Sequence, residues 1–570
     1  MAHPAHWLHD PAETGVHIAT DSGGWDFVRY PDLAAQARRM ATRLIRLGVG
    51  REDVVCLVLP SDRELIAGIY GVWAAGATIC PVTPPLFAGN DSYIGHIAGI
   101  LAQAAPPVVV TVDAYEPLVV AALERAGVAA AVWVVDDVAG QEPAPIAEPA
   151  SIALLQFTSG STGTPRGVRV SFDNLIANFG AFDYFARGEA ADGVASWLPI
   201  HHDMGLIGCL LFPVAHQQNL WIMRPDQFIR DPARWLECLT PGKARHAGCP
   251  PFGLAYAARK ITPARLAELD LSNVHSVVIG AESVDPAVLQ RFVEFAAPAG
   301  FSGDTLRPAY GLAENTVAVA INRHGDRISL VRLDRPAVVF GRPAPILDTA
   351  TFGTVAAAAG DGWLVGHGLP EPGTGIGVRI VDESGQELPP GFVGEIAVTG
   401  TSVAHGYHGV TGDCTTFAGD RLLTGDAGFI HGGDLYVLGR MGDSIKINGR
   451  SVYAEDLDAL LAAATGIEAG RLATVATTES GRPAVVVFAV AKPGPWAEAA
   501  RTALRTEFGR GVEITVVCGG PRLILRTSSG KPRRKNMWMA LRTGDMSGTI
   551  IPETGTDSAA AHPEQKEVAR

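Results

Sequence analysis

The segment at residues 156–167, QFTSGSTGTPRG, limits what this chain can fold into more than any other segment. It follows the apolar run 152–155, which is typical of a buried strand, and the strand-like run 168–170 comes after it. Its three glycines let the backbone turn sharply and approach a ligand closely. Its hydroxyl side chains add to the backbone N–H donors, so the segment predicts a concavity that binds phosphate oxygens. A flexible Ser/Gly/Thr linker is the alternative, and the strands on both sides argue against it.

The segment lacks the G-x-x-x-x-G-K-S/T pattern of the P-loop. It resembles instead the phosphate loop of the adenylate-forming enzymes, which include acyl-CoA synthetases, peptide-synthetase adenylation domains, luciferases and fatty acyl-AMP ligases. The resemblance implies that ATP and Mg²⁺ are cofactors. The residues that it assigns to ATP here are Thr158, Ser159, Gly160, Ser161, Thr162, Gly163 and Thr164. It also makes Thr162 a candidate Mg²⁺ ligand.

Size, charge and cysteine content limit the class of protein. A chain of 570 residues is too long for one hydrophobic core, so we expect two or more domains. The formal charge of −13 argues against nucleic acid as the main partner. The seven cysteines are scattered without a C-x-x-C pair, which fits reduced thiols in a cytoplasm better than disulfides or a zinc site.

We expect no membrane partner. The N-terminus lacks the basic start and the apolar core of a signal peptide. The apolar run 64–82 is interrupted by glycines and a proline and follows charged residues, so it predicts a buried helix and strand rather than a membrane span. These features predict a soluble, cytoplasmic protein.

Strands alternate with helices through the first part of the chain. The pattern predicts strands at 54–59, 108–110 and 131–135 and helices at 31–48 and 114–126. A further helix is predicted at about 173–186, with Asp173 as its N-cap. We therefore predict an α/β fold whose large N-terminal domain, residues 1–440, contains parallel-type sheets flanked by helices. The prediction adds a β-barrel-like part to this domain.

Residues 441–545 predict a small α+β domain, and the resemblance implies that it is mobile about a hinge at 441–443. Gly442 stands where relatives usually carry Asp or Lys, and glycine widens the accessible backbone angles. Residues 526–533, RTSSGKPR, resemble the end of the family's domain, where the lysine, here Lys531, meets the carboxylate and the α-phosphate. A solvated lysine is the alternative. Residues 546–570 lack periodicity and predict a disordered tail.

The segment 197–208, WLPIHHDMGLIG, resembles the W-L-P-x-x-H-D-M-G-L-x-G segment of fatty acyl-AMP ligases. The resemblance places His202 at the carboxylate and acyl pocket, as a catalytic residue. Two adjacent histidines beside an aspartate also allow a metal cluster or a purely structural pair. The segment 247–252, AGCPPF, resembles the pocket wall, with an ordinary Pro-rich turn as the alternative. The predicted pocket residues are Trp197, His202, Asp203, Met204, Gly205, Cys249, Pro250 and Phe252.

Four further segments point to a nucleotide. A predicted strand ends at Gly280, Ala281 and Glu282, at the kind of sheet edge where nucleotides dock. The segment 308–314, PAYGLAE, resembles the family's Y-G-x-T/A-E motif and places Ala309, Tyr310, Gly311, Leu312 and Ala313 against the nucleotide. Within it Tyr310 offers an aromatic face for stacking on adenine, and Glu314 offers a hard oxygen for Mg²⁺. Glu314 read alone would be a surface carboxylate.

The two remaining nucleotide segments concern the ribose. Asp426 follows Thr424 and Gly425 in a predicted tight turn, and its carboxylate suits vicinal hydroxyl groups. Arg440 follows the predicted strand 435–438, and the resemblance implies that it reaches the ribose or a phosphate.

Because these motifs occur in the expected order between residues 25 and 540, the resemblance implies an acyl-AMP ligase. Such an enzyme activates a carboxylic acid with MgATP, mainly by positioning and charge neutralisation. The small residues Gly205, Gly208, Cys209, Gly248 and Gly253 predict an apolar acid, fatty or bulky and polycyclic. The resemblance implies later transfer to a pantetheine thiol, by an acyl carrier protein or a separate CoA-transferring enzyme, in a bacterial natural-product pathway.

The interval 321–376 decides between subfamilies. It resembles the insertion of fatty acyl-AMP ligases, which is thought to hinder the CoA-dependent half reaction. A complete acyl-CoA ligase is the alternative. A nucleotide-binding pseudoenzyme is a third hypothesis, because Arg166, Phe172 and Gly442 depart from the family's usual residues.

Overall fold

The computed structural model describes the chain with several gaps. The described residues are 3–85, 90–135, 138–158, 165–186, 193–355, 362–409, 415–419, 421–441, 444–447, 450–468, 470–479, 482–526, 532–546 and 548–552. The chain divides into two compact units, one made of Met1–Gly442 with Arg526–Lys531 and the other of Asp443–Leu525 with Pro532–Arg570. Among the described residues, no helix is both long enough and apolar enough to cross a bilayer.

The first unit contains most of the regular structure. Its strands, in chain order, are β1 (Gly15–Ala19), β2 (Trp25–Arg29), β3 (Val54–Val58), β4 (Thr78–Pro81), β5 (Val108–Thr111), β6 (Ala131–Val134), β7 (Leu154–Thr158), β8 (Arg166–Val170), β9 (Val194–Ser196), β10 (Leu220–Ile222), β11 (His246–Cys249), β12 (Ser276–Ile279), β13 (Leu306–Gly311), β14 (Ala318–Ile321), β15 (Ser329–Leu333), β16 (Ile346–Thr351), β17 (Trp363–Val365), β18 (Ile376–Val381), β19 (Gly394–Gly400), β20 (Thr416–Ala418), β21 (Arg421–His431) and β22 (Asp434–Arg440). Its α-helices are α1 (Tyr30–Arg46), α2 (Arg63–Ala74), α3 (Asn90–Ala104), α4 (Glu116–Ala126), α5 (Phe172–Phe185), α6 (Phe212–Ala215), α7 (Pro225–Arg230), α8 (Ala233–Glu237), α9 (Pro251–Lys260), α10 (Pro263–Leu266) and α11 (Pro286–Ala296).

Two large sheets organise this unit. One has six strands in the order β6-β5-β3-β4-β7-β8 and is parallel except for β8. The other has eight strands in the order β14-β13-β12-β11-β9-β10-β1-β2, with parallel pairs inside and antiparallel pairs at both edges. Helix α1 shows why the sheets are covered, because its apolar stripe of Leu33, Ala37, Met40 and Leu44 is fully buried. The predicted α/β fold with parallel-type sheets flanked by helices is confirmed.

The predicted β-barrel-like part is wrong for the described residues. The strands of this region form an open sheet, in which β21 pairs with β19 along one edge and with β20 and then β22 along the other. Strand β18 ends the sheet on the far side of β19. In the part of the chain that the structure describes, β18 pairs with neither β20 nor β22, so the sheet does not close on itself.

The predicted insertion at 321–376 contains a small sheet of its own, in the order β16-β15-β17, and residues 356–361 within it lie outside the described part. Helix α5 differs from its prediction in the cap. Ser171 caps it, accepting from Asn174 N at 3.2 Å, while Asn174 Oδ1 accepts from Ser171 N at 2.9 Å. Asp173 lies in the first turn instead, because the spacing of Ser171 and Asn174 completes a reciprocal capping box.

The second unit is built of β23 (Ser444–Ile447), β24 (Arg450–Tyr453), α12 (Ala454–Thr465), β25 (Leu472–Glu479), β26 (Arg482–Ala489), α13 (Trp496–Phe508), β27 (Glu513–Gly519), α14 (Arg534–Thr543) and β28 (Gly548–Ile551). Its main sheet has the order β25-β26-β27-β28. The predicted disordered tail is therefore wrong for β28, which pairs antiparallel with β27. The β-branched residues Thr549, Ile550 and Ile551 favour this strand, and Arg501 donates a hydrogen bond to the carbonyl of Ile551. Residues 553–570 lie outside the described part.

Candidate active site

Three predicted nucleotide residues, Tyr310, Asp426 and Arg440, lie together. Strand β13 carries Tyr310, and the register of β21 with β22 sets Asp426 directly opposite Arg440. The hydroxyl of Tyr310 donates to Asp426 Oδ2 at 2.6 Å, and Arg440 Nη1 lies 3.4 Å from Asp426 Oδ1. Asp426 is buried, with 8% of its surface exposed. The carboxylate is thus held between a hydroxyl donor and a guanidinium.

The surroundings keep this group in one arrangement. Burial raises the pKa of Tyr310 well above its usual value, and the nearby charge of Asp426 adds to the rise. The hydroxyl therefore stays protonated and remains a donor. The tight turn predicted before Asp426 is wrong, because residues 424–426 lie inside β21. The strand is fixed there by two hydrogen bonds: Asp426 N donates to Thr424 Oγ1 at 3.1 Å, and Gly425 N donates to Glu395 Oε1 at 2.8 Å. A carboxylate fixed in this way can accept hydrogen bonds from vicinal hydroxyl groups.

Glu314 forms the second group. It lies in a short 3₁₀ turn, Ala313–Asn315, directly after β13, and only 5% of its surface is exposed. The hydroxyl of Tyr407 donates to Glu314 Oε1. Oε2 is then the carboxylate oxygen suited to a cation. Mg²⁺ commonly takes one or two carboxylates together with substrate phosphates and water, so Glu314 fits that role.

The residues beside the predicted phosphate loop are well defined. Strands β7 and β8 pair antiparallel, with Thr158 opposite Arg166, so the two ends of the loop are neighbours. Arg166 is buried, and its guanidinium lies 4.7 Å from the centre of the Tyr407 ring. The predicted loop residues Ser159, Gly160, Ser161, Thr162, Gly163 and Thr164, the predicted catalytic Lys531 and the predicted hinge residue Gly442 lie outside the described residues.

The segment Gly280, Ala281 and Glu282 follows β12 and lies beside the start of the Tyr310 motif. Strands β12 and β13 are parallel neighbours with Ile279 opposite Pro308. A Cβ atom on Gly280 would lie 3.2 Å from the carbonyl oxygen of Ala309, which shows how closely the two chains approach. Ala281 has a φ of 66°, a left-handed conformation that alanine rarely adopts and that is common at ligand sites.

His202 leads into a π-helical segment, Met204–Leu211. Its Nδ1 lies 2.7 Å from Asp203 Oδ1, and Asp203 also accepts from Met204 N at 2.7 Å. In the described part of the chain, no three side chains of His, Cys, Asp or Glu converge as a metal site, so the metal-cluster alternative has no support there. The arrangement instead orients the imidazole of His202 through Asp203.

His201, its neighbour, has a different environment. Burial lowers the pKa of His201 to about 3, with smaller contributions from His202 and His96, so the ring is neutral. Its carbonyl accepts from Gln156 Nε2 at 2.9 Å, which ties this segment to β7.

The predicted acyl-pocket wall is aromatic and tightly packed. Trp197 stacks on Phe228 with ring centres 3.8 Å apart and meets Phe252 edge to face at 5.6 Å. Cys249 ends β11 and Pro250 precedes α9, so Phe252 stands in the first helical turn and is 40% exposed. Burial raises the pKa of the Cys249 thiol, with Glu282 adding to the rise, so the thiol is neutral and part of the packing.

Three of the four glycines that predicted a roomy pocket are closely approached by other groups of the protein, whereas a Cβ on Gly208 would make only an ordinary contact, 3.7 Å from Phe182 Cζ. A Cβ on Gly248 would lie 2.8 Å from Cys209 Sγ, and one on Gly253 would lie 2.6 Å from Trp197 Cζ2. Gly205 approaches the backbone, since its Cβ would lie 2.3 Å from the carbonyl oxygen of Pro199. These glycines accommodate neighbouring side chains and backbone, so the size of the acid does not follow from them.

Comparisons with known proteins agree with this geometry. A family model described as AMP-binding enzyme matches residues 8–408. The "Long-chain-fatty-acid--AMP ligase FadD26" of Mycobacterium marinum is 32% identical over 563 residues, covering 92% of this chain and 93% of that protein. The "4-hydroxyphenylalkanoate adenylyltransferase" of Mycobacterium tuberculosis is 34% identical over 520 residues, covering 85% of this chain and 81% of the other. A solved structure from a study of fatty acyl-adenylate ligases of E. coli and L. pneumophila has a TM-score of 0.84 and 28% identity, and the match covers 96% of this chain and 98% of that one.

Proposed function

This chain belongs to the AMP-binding enzyme family, and we propose that it is an acyl-AMP ligase, which joins an apolar carboxylic acid to the AMP part of ATP and releases pyrophosphate. The resemblance to adenylate-forming enzymes, and to fatty acyl-AMP ligases among them, is confirmed by the comparisons. The names of its relatives, a fatty-acid–AMP ligase and an adenylyltransferase of hydroxyphenylalkanoates, support an acid with a long or aromatic apolar part.

The observation that carries the proposal is the buried carboxylate of Asp426 between Tyr310 and Arg440. A buried carboxylate with two fixed donors is suited to orient a sugar diol. Catalysis by such a site rests on positioning and on electrostatic stabilisation. The acid's carboxylate oxygen attacks the α-phosphorus, and the bond to the β-phosphate oxygen breaks.

We assign the remaining roles by the family motifs and the local geometry. Glu314 would hold Mg²⁺, which when bound neutralises phosphate charge, and the loop residues 158–164 would bind the departing pyrophosphate. Lys531 would meet the carboxylate and the α-phosphate. His202, oriented by Asp203 at 2.7 Å, would bind the acid's carboxylate beside the pocket of Trp197 and Phe252.

The acceptor of the acyl group is part of the proposal. Some relatives are named fatty-acid–AMP ligases, which supports release of an acyl adenylate for later transfer to a pantetheine thiol on a carrier protein, whereas others are named "Putative fatty-acid--CoA ligase FadD21". The insertion at 321–376, with its own three-stranded sheet, supports the same assignment by analogy with fatty acyl-AMP ligases. A complete acyl-CoA ligase is the alternative that the experiment must separate.

The test measures pyrophosphate release with a panel of fatty, hydroxyphenylalkanoic and polycyclic acids, with acyl-AMP and acyl-CoA both quantified by mass spectrometry. Accumulation of acyl-AMP with little acyl-CoA in the presence of CoA is the expected result. Rapid formation of acyl-CoA would make the chain a CoA ligase. No turnover with any acid would favour the pseudoenzyme hypothesis.

A further inference from the structure

Tyr407 connects the phosphate-loop strand to Glu314, although the predicted nucleotide motifs give it no role. The backbone around it pairs with β8, since Arg169 N donates to Gly406 O at 2.9 Å and His408 N donates to Gly167 O at 2.7 Å. On the other side of the segment, Ala404 N donates to Glu314 O at 2.9 Å. The segment 404–408 is therefore hydrogen-bonded both to β8 and to the turn that carries Glu314.

The side chain of Tyr407 makes the same connection. Its hydroxyl donates to Glu314 Oε1, and the guanidinium of Arg166 lies over its ring, 4.7 Å from the ring centre. Phe417 supports the ring edge to face at 5.4 Å. A cation over the face of an aromatic ring attracts its electrons. It thereby strengthens the hydroxyl of Tyr407 as a donor to a carboxylate.

The hydroxyl of Tyr407 reaches a carboxylate that is almost fully buried. Its hydrogen bond to Oε1 stabilises the charge of Glu314 and fixes the plane of the carboxylate, because hydrogen bonds to charged groups are among the stronger ones in proteins.

We propose that Tyr407 is a positioning residue that aims the carboxylate of Glu314 at Mg²⁺·ATP, and that Arg166 holds its ring in place. The inference rests on the proposed function, because it assigns Glu314 to the metal. It also explains why an arginine suits position 166, because a planar guanidinium stacks on an aromatic face better than an ammonium does.

The test compares Tyr407→Phe with Tyr436→Phe, because each variant loses one tyrosine hydroxyl that donates to another side chain. The hydroxyl of Tyr436 donates to Ser329 Oγ at 2.8 Å, away from Glu314. Two quantities are measured: pyrophosphate release against Mg²⁺ concentration, and the rise in Tm that ATP gives with and without Mg²⁺. For Tyr407→Phe we expect the half-saturating Mg²⁺ concentration to rise about tenfold, because the carboxylate of Glu314 loses one hydrogen bond and such bonds to charged groups are worth that much. We expect kcat at saturating Mg²⁺ to stay within about twofold of the value for the unaltered protein. The part of the ATP-induced rise in Tm that depends on Mg²⁺ should be smaller than in the unaltered protein.

Two further variants test the role of Arg166 and whether Tyr407 acts through Glu314. Arg166→Met should raise the half-saturating Mg²⁺ concentration about threefold, as expected from the loss of a cation over a ring. Combining Tyr407→Phe with Glu314→Gln should add little to the effect of Glu314→Gln alone, because Tyr407 acts through that carboxylate. Additive losses, or a Tyr407→Phe variant with the Mg²⁺ requirement of Tyr436→Phe, would overturn the inference. The proposed function is judged separately, by whether the unaltered protein forms acyl-AMP at all.

Discussion

Asp426, Tyr310 and Arg440 form the proposed ribose site. Replacing Asp426 by asparagine removes one negative charge from this site and keeps the shape of the side chain. The carboxylate accepts from the Tyr310 hydroxyl at 2.6 Å and faces Arg440 Nη1 at 3.4 Å. In the variant the amide oxygen can face Arg440, and the amide N–H can donate to the Tyr310 oxygen. We expect the free energy of unfolding to fall by only about 1 kcal/mol, which is the contribution of one ordinary hydrogen bond.

The effect on ATP should be larger. If the carboxylate accepts from two ribose hydroxyls, each bond loses the excess of a charge-assisted over a neutral hydrogen bond, about 1–1.5 kcal/mol. Together the two bonds amount to about 2–3 kcal/mol, which is a rise of about 30- to 150-fold in KM for ATP. The pyrophosphate release assay with varied ATP measures this rise, and calorimetry with a non-hydrolysable ATP analogue measures the binding part.

A second substrate, 2′-deoxy-ATP, tests whether Asp426 contacts the ribose hydroxyls. With 2′-deoxy-ATP the unaltered protein should lose about tenfold in kcat/KM, while Asp426→Asn should lose only about twofold, because the interaction is already weakened. Asp348→Asn is the matched control, since that exposed carboxylate pairs with Arg332 at 3.8 Å outside the site. An unchanged KM for ATP in Asp426→Asn, or the same 2′-deoxy penalty in both proteins, would refute the assignment of Asp426 to the ribose.

Three other predictions use different properties of the molecule. Lys531→Ala should bind ATP normally in calorimetry yet release pyrophosphate at least about a hundredfold more slowly, as expected when a transition-state charge partner is lost; a normal rate would remove Lys531 from the mechanism. Gly248→Ala should lower the free energy of unfolding by about 1–3 kcal/mol in urea, because the new methyl group would meet Cys209 Sγ at 2.8 Å. Gly180→Ala, in open space on α5, should instead raise it by up to about 1 kcal/mol; equal effects would refute the packing argument. Because burial lowers the pKa of His201 to about 3, its contribution to stability is present above pH 6.5 and is lost as the pH falls below it. Between pH 6 and 4, the unaltered protein should therefore lose stability more steeply than His201→Gln, by about 1.4 kcal/mol per pH unit; parallel pH curves would show that the ring is not buried.

The sequence predicted those parts of the site that depend on short-range order. The strand before Arg440 follows from its local residue pattern, whereas the tight turn predicted before Asp426 is wrong, because residues 424–426 lie inside β21. Asp426 and Arg440 meet because β21 and β22 pair as an antiparallel hairpin. Tyr407 was missed as a functional residue, because its contact with Glu314 depends on how a distant segment pairs with β8.

Packing was the second limit of prediction. A glycine in the sequence indicates that something approaches closely, but not whether that is a ligand or a side chain of the same protein. At Gly253 the approaching group is the indole of Trp197, whose position depends on its stack with Phe228. Conversely, the cap of α5 was available from sequence, since Ser171 stands three residues before Asn174 and the pair forms a capping box.

Strand β28 has a consequence for association between copies of the protein. It covers the outer edge of β27, a seven-residue strand rich in valine, whose N–H and C=O groups would otherwise face solvent. An exposed apolar edge of that kind is a template for pairing with another chain. A protein shortened to end at residue 546 would keep the hydrophobic core of the second unit but present this edge, and Arg501 would lose its acceptor at Ile551. Residues 548–551 therefore protect the edge of β27 against aggregation, and any shortening of the chain should stop beyond Ile551.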